Sequence, residues 1–473
     1  MPEQLVVIGN GMAPGRVLEQ LTDHPEHGYE ITVFNAEPRV NYDRIMLSPV
    51  LSGERGYEDI IIHDDDWYSD RSITLHKGKP VIDINRDTRT VRAVDGTTAR
   101  YDKLLIATGS QPFMPPIPGK ELEGVLSYRD LDDVEAMLAA AADGRRAVVI
   151  GGGLLGLEAA AGLNARGMDV TVLHLGPTLM ERQLDVSAGC LLREALLKRG
   201  IEVVTEANTE EIIGADAVEA VRLADGRFLP ADIVVIAVGI TPNVSLASAA
   251  GLEVRRGIVV GDDMRSSDPD ILAVGECVEH RGSCYGLVAP LYDMAKVVTA
   301  QLLGMKDRYT GSTVSTKLKV TGLDVYSAGD FAGGAQREDI VLRDAARQVY
   351  KRLTIEDNRI VGIVLFGDTR DGPWFNQQLR ERADISDIRE MLIFGQNYAG
   401  GTKLDPTAAV AALPDDSATR SCNGLNQSET TTAADAEGLI SVMAIRAAAA
   451  GCAGREVRRG PAVEAHQDTG ERQ

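Results

Sequence analysis

The feature that most limits how this chain can fold is a series of signals that occurs twice in the same order. From residue 5, LVVIGNGMAPGRVLEQL runs from an apolar strand through Gly9 and Gly11 into an amphipathic helix, and a second strand, EITVF, leads to Glu37. From residue 146, RAVVIGGGLLGLEAAAGL repeats the arrangement through Gly151, Gly153 and Gly156, and DVTVL leads to His174. Each copy then passes an Asp-Gly hairpin (Asp95-Gly96, Asp225-Gly226) and reaches a buried strand ending in glycine: YDKLLIATGSQP around Gly109, ADIVVIAVGITP around Gly239. A lone glycine motif is weak, but chance recurrence of the whole series is not expected. Two βαβ units are predicted.

Glycine, lacking Cβ, lets backbone amides at a helix N-terminus approach a pyrophosphate whose charge the helix dipole favours. Two such units predict two dinucleotides bound at once. The first cleft offers Gly9, Gly11, Met12 and Ala13 at the helix start, Glu37 to accept from an adenosine ribose, and Ala107, Thr108 and Gly109 after the later strand. Pro14 stands where a third glycine is expected; proline is tolerated in a helix's first turn, so the helix survives while strand packing loosens. The second cleft offers Gly151, Gly153, Leu154, Leu155, Gly156 and Gly239, with Glu158 able to reach toward a nicotinamide edge or to stand as a helix-surface carboxylate. His174 occupies the place of the acid that favours a ribose 2′-hydroxyl, and no arginine stands beside it to claim a 2′-phosphate, so NADH and NADPH both stay open. A third element, DPDILAVGECVEH, reads as a strand ending at Gly275-Glu276 and followed by a helix. It would put Glu276 beside the ribityl hydroxyls of an FAD in the first cleft, with Cys277 a small thiol packed against the cofactor rather than a redox group.

The totals fit such an enzyme. A chain of 473 residues divides into about three domains. No apolar run is long enough to cross a bilayer and no basic leader precedes the first strand, so a cytoplasmic protein is expected. Five scattered cysteines do not form a disulfide framework. A net charge of −21 opposes nucleic acid and anionic membranes, so neither is an expected partner. The run Asp64-Asp65-Asp66 reads as a solvated face, not a metal site.

The order of FAD unit, inserted NAD unit, return to the FAD unit and C-terminal cap resembles the pyridine-nucleotide disulfide oxidoreductase superfamily. NYDRIMLSPVLSGE (41–54), HLGPTLMERQLD (174–185), GECVEHRGSCYGLVAPLY (275–292), STKLKVTGLDVYSAGD (315–330) and FGDTRDGPWF (366–375) narrow the resemblance to the flavoprotein half of assimilatory NAD(P)H nitrite reductase large subunits, which the electron-transfer subunit of assimilatory nitrate reductase shares. The fold class implied is α/β: two nested Rossmann-like FAD- and NAD(P)-binding domains, a small α+β C-terminal cap and a degraded 2Fe-2S tail. The divisions expected are 1–114 and 241–312 for the FAD domain, 115–240 for the NAD(P) domain, 313–400 for the cap and 401–473 for the tail. The resemblance implies that Tyr42, Arg44 and Ser48 lie along the FAD, with Asp43 replacing an expected asparagine. It also implies that Lys317 and Lys319 lie near the flavin face or a dimer interface; from the sequence they are charges on an alternating strand. Residues 40–60 contain no cysteine, so thiolate attack on the flavin is not expected and electrons leave by another route.

Family members continue into a small 2Fe-2S module and then a sirohaem domain. Here the module keeps Cys422 and Cys452, while Arg420 and Arg455 stand at two other ligand places. A cluster of this kind takes four thiolates, so Cys422 and Cys452 read as remnants, 2Fe-2S binding is not expected, and sirohaem would belong to another polypeptide. The expectation is a homodimeric FAD-dependent NAD(P)H oxidoreductase that delivers electrons to a separate assimilatory nitrate or nitrite reductase, directly or through a ferredoxin-like carrier. The rivals are a stand-alone NAD(P)H oxidase, a ferredoxin or rubredoxin reductase, and a non-catalytic FAD-binding protein.

Overall fold

A computed structural model describes residues 2–399, apart from 313, 314 and 321; Cys422, Cys452 and the tail lie outside the described residues. Both βαβ units are present, and each sits in a five-stranded parallel sheet. In the first, the order is Ile271–Ala273, Lys103–Ile106, Glu3–Ile8, Tyr29–Phe34, Thr74–His76. The second runs Val125–Leu126, Ile233–Ile236, Arg146–Ile150, Asp169–Leu173, Glu202–Val204. In both, the strand that feeds the glycine loop is central. Leu104, Leu105 and Ile106, like Val148 and Val149, are buried because parallel strands are covered on both faces, which is why they read as unbroken apolar runs.

Each sheet carries a three-stranded antiparallel satellite turned by its Asp-Gly pair. Val81–Asn85, Thr90–Ala93 and Thr98–Arg100 form one; Thr209–Ile213, Ala220–Leu223 and Phe228–Pro230 form the other. Gly96 and Gly226 turn at φ of 87° and 86°, a left-handed conformation that favours glycine. The two sheets are stitched where the chain crosses between them, as Ser110–Pro112 pairs antiparallel with Ile240–Pro242.

One expectation fails after Gly275. No helix begins there; Val278–His280 is a short strand that pairs in parallel with Ile258–Val260, and the helix Val288–Leu302 starts later. The Glu279 side chain accepts from the backbone N–H groups of Arg256 and Gly257, so the polar residues in this segment are tied to a neighbouring loop and favour extension over a helical turn.

The C-terminal region is a five-stranded antiparallel sheet in the order Ser315–Val320, Leu323–Gly329, Arg359–Phe366, Val349–Glu356, Glu338–Asp344. Helix Gly372–Glu381 buries Phe375 in a core with Tyr326, Leu353, Ile363 and Leu365, which is the expected α+β arrangement. Val325, Val364 and Phe366 face the other way and join the core of the second parallel sheet. Among the described residues, no helix is long and apolar enough to cross a membrane and no His, Cys, Asp and Glu group could hold a metal ion.

Candidate functional site

The first glycine loop lies at the C-terminal ends of three parallel strands. Gly9 turns at φ 106°, and a Cβ there would run into the Ala107 carbonyl, so strand and loop touch backbone to backbone. Gly11 is the N-cap of helix Met12–Thr22; no side chain caps it, and a Cβ at Gly11 would meet nothing within 4 Å. The amides of the first turn, at Met12 and Ala13, are therefore free of side-chain acceptors and open to an anion. Gly275 approaches Ala13, with a built Cβ 3.5 Å from the alanine methyl. Pro14 is buried in the first turn, and the helix's first bond, Gly15 N–H to the Gly11 carbonyl at 3.1 Å, is intact beside it. The buried Asn41, absent from the sequence expectations, braces this loop: its Nδ2 donates to the Asn10 and Gly11 carbonyls, both at 2.8 Å.

Around the loop run two ion pairs linked through a backbone carbonyl. Glu37 lies beyond its strand, where its carboxylate accepts from the Tyr42 hydroxyl at 2.7 Å and pairs with the Arg44 guanidinium. Arg44 also donates to the Arg129 carbonyl at 3.0 Å, and Arg129 pairs with Glu276. Ser110 Oγ donates to the same Glu276 carboxylate at 2.8 Å. Burial pushes the Tyr42 phenol well above its ordinary range, so it stays a donor. The structure thus brings together Gly9, Gly11, Met12, Ala13, Glu37, Arg44, Ala107, Gly109, Gly275 and Glu276. It adds Arg129, whose RDLDD surroundings carry no motif. Thr108 is turned aside, its hydroxyl donating to the Asn243 carbonyl at 2.7 Å. Asp43 caps a short helical turn by accepting from Ile45 N–H. Cys277 is fully buried, with its thiol directed at the Val274 carbonyl at 3.4 Å. Burial raises its pKa, so the nucleophilic thiolate is disfavoured.

The second loop repeats the design. Gly151 turns at φ 127°, where a Cβ would strike the Ala237 carbonyl, and a Cβ at Gly156 would strike the Gly151 carbonyl. Gly153 is an uncapped N-cap with open space at its Cβ, and Leu154 and Leu155 begin the helix Leu154–Ala165. Gly239 is likewise open at φ 133°. His174 directly follows its strand, yet its ring is engaged by protein: Nδ1 accepts from Gly152 N–H at 3.2 Å, and Nε2 faces Glu181 Oε2 at 2.8 Å.

Ser48 and Glu158 connect the two units. Ser48 Oγ donates to Glu158 at 2.8 Å and lies 2.9 Å from the Tyr128 hydroxyl. Helix Leu47–Ser52 packs on Leu154–Ala165 so closely that a Cβ at Gly162 would come 2.6 Å from Leu51 carbons. Burial pushes the Glu158 carboxyl up to about 7, against the lowering effect of the Ser48 hydrogen bond. Glu158 is therefore no exposed helix-surface carboxylate. The backbones of Lys317 and Lys319 pair with Tyr326 and Asp324 in the cap sheet.

Two uncapped helix N-termini, each fed by a glycine that no Cβ could replace without a backbone clash, fit the two phosphate bridges of FAD and NAD(P)H. The polar set of the first, with Glu37 and Glu276 as acceptors and Arg44 and Arg129 as donors, suits a sugar, a pyrophosphate and a polyol. A pyridine nucleotide-disulphide oxidoreductase domain matches residues 3–301, and a rubredoxin NAD+ reductase C-terminal domain matches residues 315–383. The chain is 44% identical to a nitrite reductase [NAD(P)H] of Bacillus subtilis over 447 residues, 94% of this chain and 55% of that protein. It is 42% identical to the assimilatory nitrate reductase electron transfer subunit of the same organism, over 83% of this chain and 51% of that protein. It therefore spans about half the length of these curated relatives. A ferredoxin reductase from Rhodopseudomonas palustris superposes with a TM-score of 0.74 at 27% identity, covering 81% of this chain and 98% of that one. The chain belongs to the pyridine nucleotide-disulphide oxidoreductase family and is an FAD-dependent NAD(P)H oxidoreductase.

Proposed function

We propose that this chain carries reducing equivalents from NAD(P)H through FAD to a separate assimilatory nitrate or nitrite reductase, directly or through a ferredoxin-like carrier. The observation that supports it most is the pair of congruent glycine clefts, bound to each other by the Ser110–Pro112 and Ile240–Pro242 ladder and by the Ser48–Glu158 hydrogen bond. Similarity to proteins of nitrite and nitrate reduction over more than four-fifths of the chain points to the acceptor. In this reading residues 1–114 and 241–312 hold FAD, 115–240 hold the nicotinamide nucleotide, and 313–400 form a cap through which the chain dimerises in the cytoplasm.

The residues divide the work by chemistry. Amides of Met12 and Ala13 receive the FAD phosphates, Glu37 accepts from its adenosine ribose, Arg44 and Arg129 offset phosphate charge, and Glu276 accepts from ribityl hydroxyls. Amides at Leu154 and Leu155 receive the second nucleotide, and Glu158 stands at the join between the clefts. Bound FAD supplies hydride acceptance and the release of electrons onward, which no side chain can supply. The protein's part is to hold two ring systems in fixed register and to exclude water from between them. Cys277, buried and protonated, takes no part in the transfer.

The test is anaerobic mixing of the flavin-loaded protein with NADH or NADPH, followed by addition of purified nitrate or nitrite reductase. Bleaching of the flavin, then recolouring coupled to nitrate or nitrite loss, is the expected result. Recolouring by oxygen alone, with no reductase accepting electrons, would overturn the nitrogen assignment in favour of an NAD(P)H oxidase. No bleaching by either nucleotide would overturn the transfer itself.

A further inference from the structure

We infer that Glu181, presented by His174, is the carboxylate that meets the adenosine ribose of the nicotinamide nucleotide, and that it makes the second cleft select NADH over NADPH. The inference rests on the reading of that cleft as the NAD(P)H site. His174 stands at the end of the strand where such clefts carry an acid. Its ring, however, is held between two protein groups, the Gly152 amide at 3.2 Å and Glu181 Oε2 at 2.8 Å. Because Nδ1 accepts from Gly152, Nε2 carries the ring proton and donates to Glu181. The acid missing at position 174 is thus supplied from the following loop, at the same strand end.

That loop is fixed rather than draped. Met180 N–H donates to the Gly152 carbonyl at 3.0 Å, and Met180 itself is buried at φ 52°, a left-handed conformation uncommon for a side chain of its size. Glu206 N–H donates to the Gly176 carbonyl at 3.1 Å and Ala207 N–H to the His174 carbonyl at 2.9 Å. Gly176 leaves room for the pair: a Cβ there would come within 3.0 Å of His174 Nε2 and 3.7 Å of the Glu181 carboxyl carbon. The imidazole is 11% exposed and the Glu181 side chain 51%, so one carboxylate oxygen is held from below while the group still faces solvent.

A carboxylate in this position accepts from the 2′- and 3′-hydroxyls of an adenosine ribose, and a 2′-phosphate in the same place meets like charge. The neighbouring Arg182 is the cation that would claim a phosphate. Glu181, not Arg182, is the one clamped against the loop that binds the dinucleotide.

The experiment uses the flavin-loaded protein, titrated with NAD+ and NADP+ in a calorimeter and reduced by NADH or NADPH in a stopped-flow instrument; the flavin spectrum of each variant reports folding. The wild-type protein is expected to bind NAD+ about tenfold or more tighter than NADP+. Glu181→Gln should shrink that ratio by about tenfold, through weaker NAD+ and tighter NADP+ together. A wild-type preference for NADP+ that Arg182→Gln removes would overturn the proposal, as would a ratio that Glu181→Gln moves less than about twofold. Failure of both reduced nucleotides to bleach the flavin would sink the parent reading, while the binding ratio would still judge Glu181. Absence of binding by either nucleotide would sink both.

Discussion

In the first glycine loop the carbonyls of Asn10 and Gly11 are held by one side chain, the carboxamide of Asn41. In the second, the carbonyl of the corresponding residue, Gly152, is held by the Met180 backbone N–H, and its own N–H by the His174 ring. The geometric demand is the same in both. The chain must leave a strand, turn so that a helix N-terminus faces a phosphate, and still satisfy the polar groups that the turn leaves outside strand and helix. A backbone brace tolerates sequence change at the bracing residue, because every residue except proline has an N–H. A carboxamide brace depends on one side chain. The two clefts should therefore fail differently, although they look alike in outline.

The largest effect separates the clefts outright. Gly9→Ala and Gly151→Ala each push a Cβ into a backbone carbonyl at a positive φ, where something in the loop must shift. Gly9→Ala is expected to yield protein that does not retain flavin. Gly151→Ala should retain it but lose flavin reduction by NAD(P)H by about a hundredfold or more, as for displaced binding geometry. Absorbance of the purified variants and anaerobic stopped-flow traces decide the matter; a yellow Gly9→Ala protein with normal affinity would break the assignment of the first loop to FAD.

Next in size is the brace. Asn41→Ala orphans the buried Asn10 carbonyl and takes one of two donors from the Gly11 carbonyl, which keeps Gly15 N–H; at about 2 kcal/mol for the orphaned group, flavin affinity should fall by roughly thirtyfold. Met180→Leu leaves its N–H in place and should change nucleotide affinity by less than about threefold. Equal losses in the two variants, read by fluorescence titration of the released flavin and by calorimetry of NAD+, would remove the distinction between side-chain and backbone bracing.

Why the sequence revealed the loops and hid their braces follows from range. Gly9, Gly11, Gly151, Gly153 and Gly156 announce themselves because the constraint on each is local: a positive φ, an open helix end, a carbonyl within a few residues or on the next strand. The parallel sheets were equally visible, since a strand covered on both faces must be apolar throughout, as Leu104–Ile106 is. Asn41, Arg129 and Glu181 carry no local signal. Asn41 works through its contact with a loop 30 residues earlier, and Arg129 reaches Glu276 from 147 residues away. The place of His174 was legible and its partners were not, because spacing shows where a strand ends and not which groups the ring that follows it meets. The helix expected after Glu276 fell to the same cause: Glu279 is tied to the Arg256 and Gly257 amides, a non-local contact that outweighs intrinsic propensity.

The join between the clefts should be sensitive to pH in a direction that the glycine loops are not. Glu158 titrates at about 7 in the folded protein, raised from 4.5 chiefly by burial, so the folded state holds this proton more tightly than the unfolded chain. Its contribution to stability is full below about pH 4.5 and is lost as pH rises through about 7. Glu158→Gln keeps a polar partner for Ser48 and removes the titration. Relative to this variant, the wild-type protein should lose on the order of 2 kcal/mol between pH 5 and pH 8, at 1.36 kcal/mol per pKa unit. Thermal melts of the pair across that range check it; parallel pH profiles would mean that Glu158 is already ionised when the protein is folded.

The smallest expected effect bears on how electrons leave the first cleft. Cys277 is the residue next to Glu276, and a thiol so placed invites comparison with family members that pass electrons through sulfur. Its surroundings argue the other way. The side chain is fully buried, its thiol points at the Val274 carbonyl, and burial raises its pKa, so the reactive thiolate is scarce at neutral pH. Exchange thiols sit in open, electropositive surroundings, and this one sits in the apolar core of the first sheet with Ile106 and Val278. Cys277→Ala should cost about 1 kcal/mol of stability through the small cavity it leaves. The rate of flavin reduction by NAD(P)H and the rate of reoxidation by an artificial one-electron acceptor should each stay within about twofold of wild type, because no bond to sulfur forms or breaks in either step. A drop of about tenfold or more in reoxidation, with reduction unchanged, would place sulfur on the exit route and give the first cleft a second, covalent function that the other lacks.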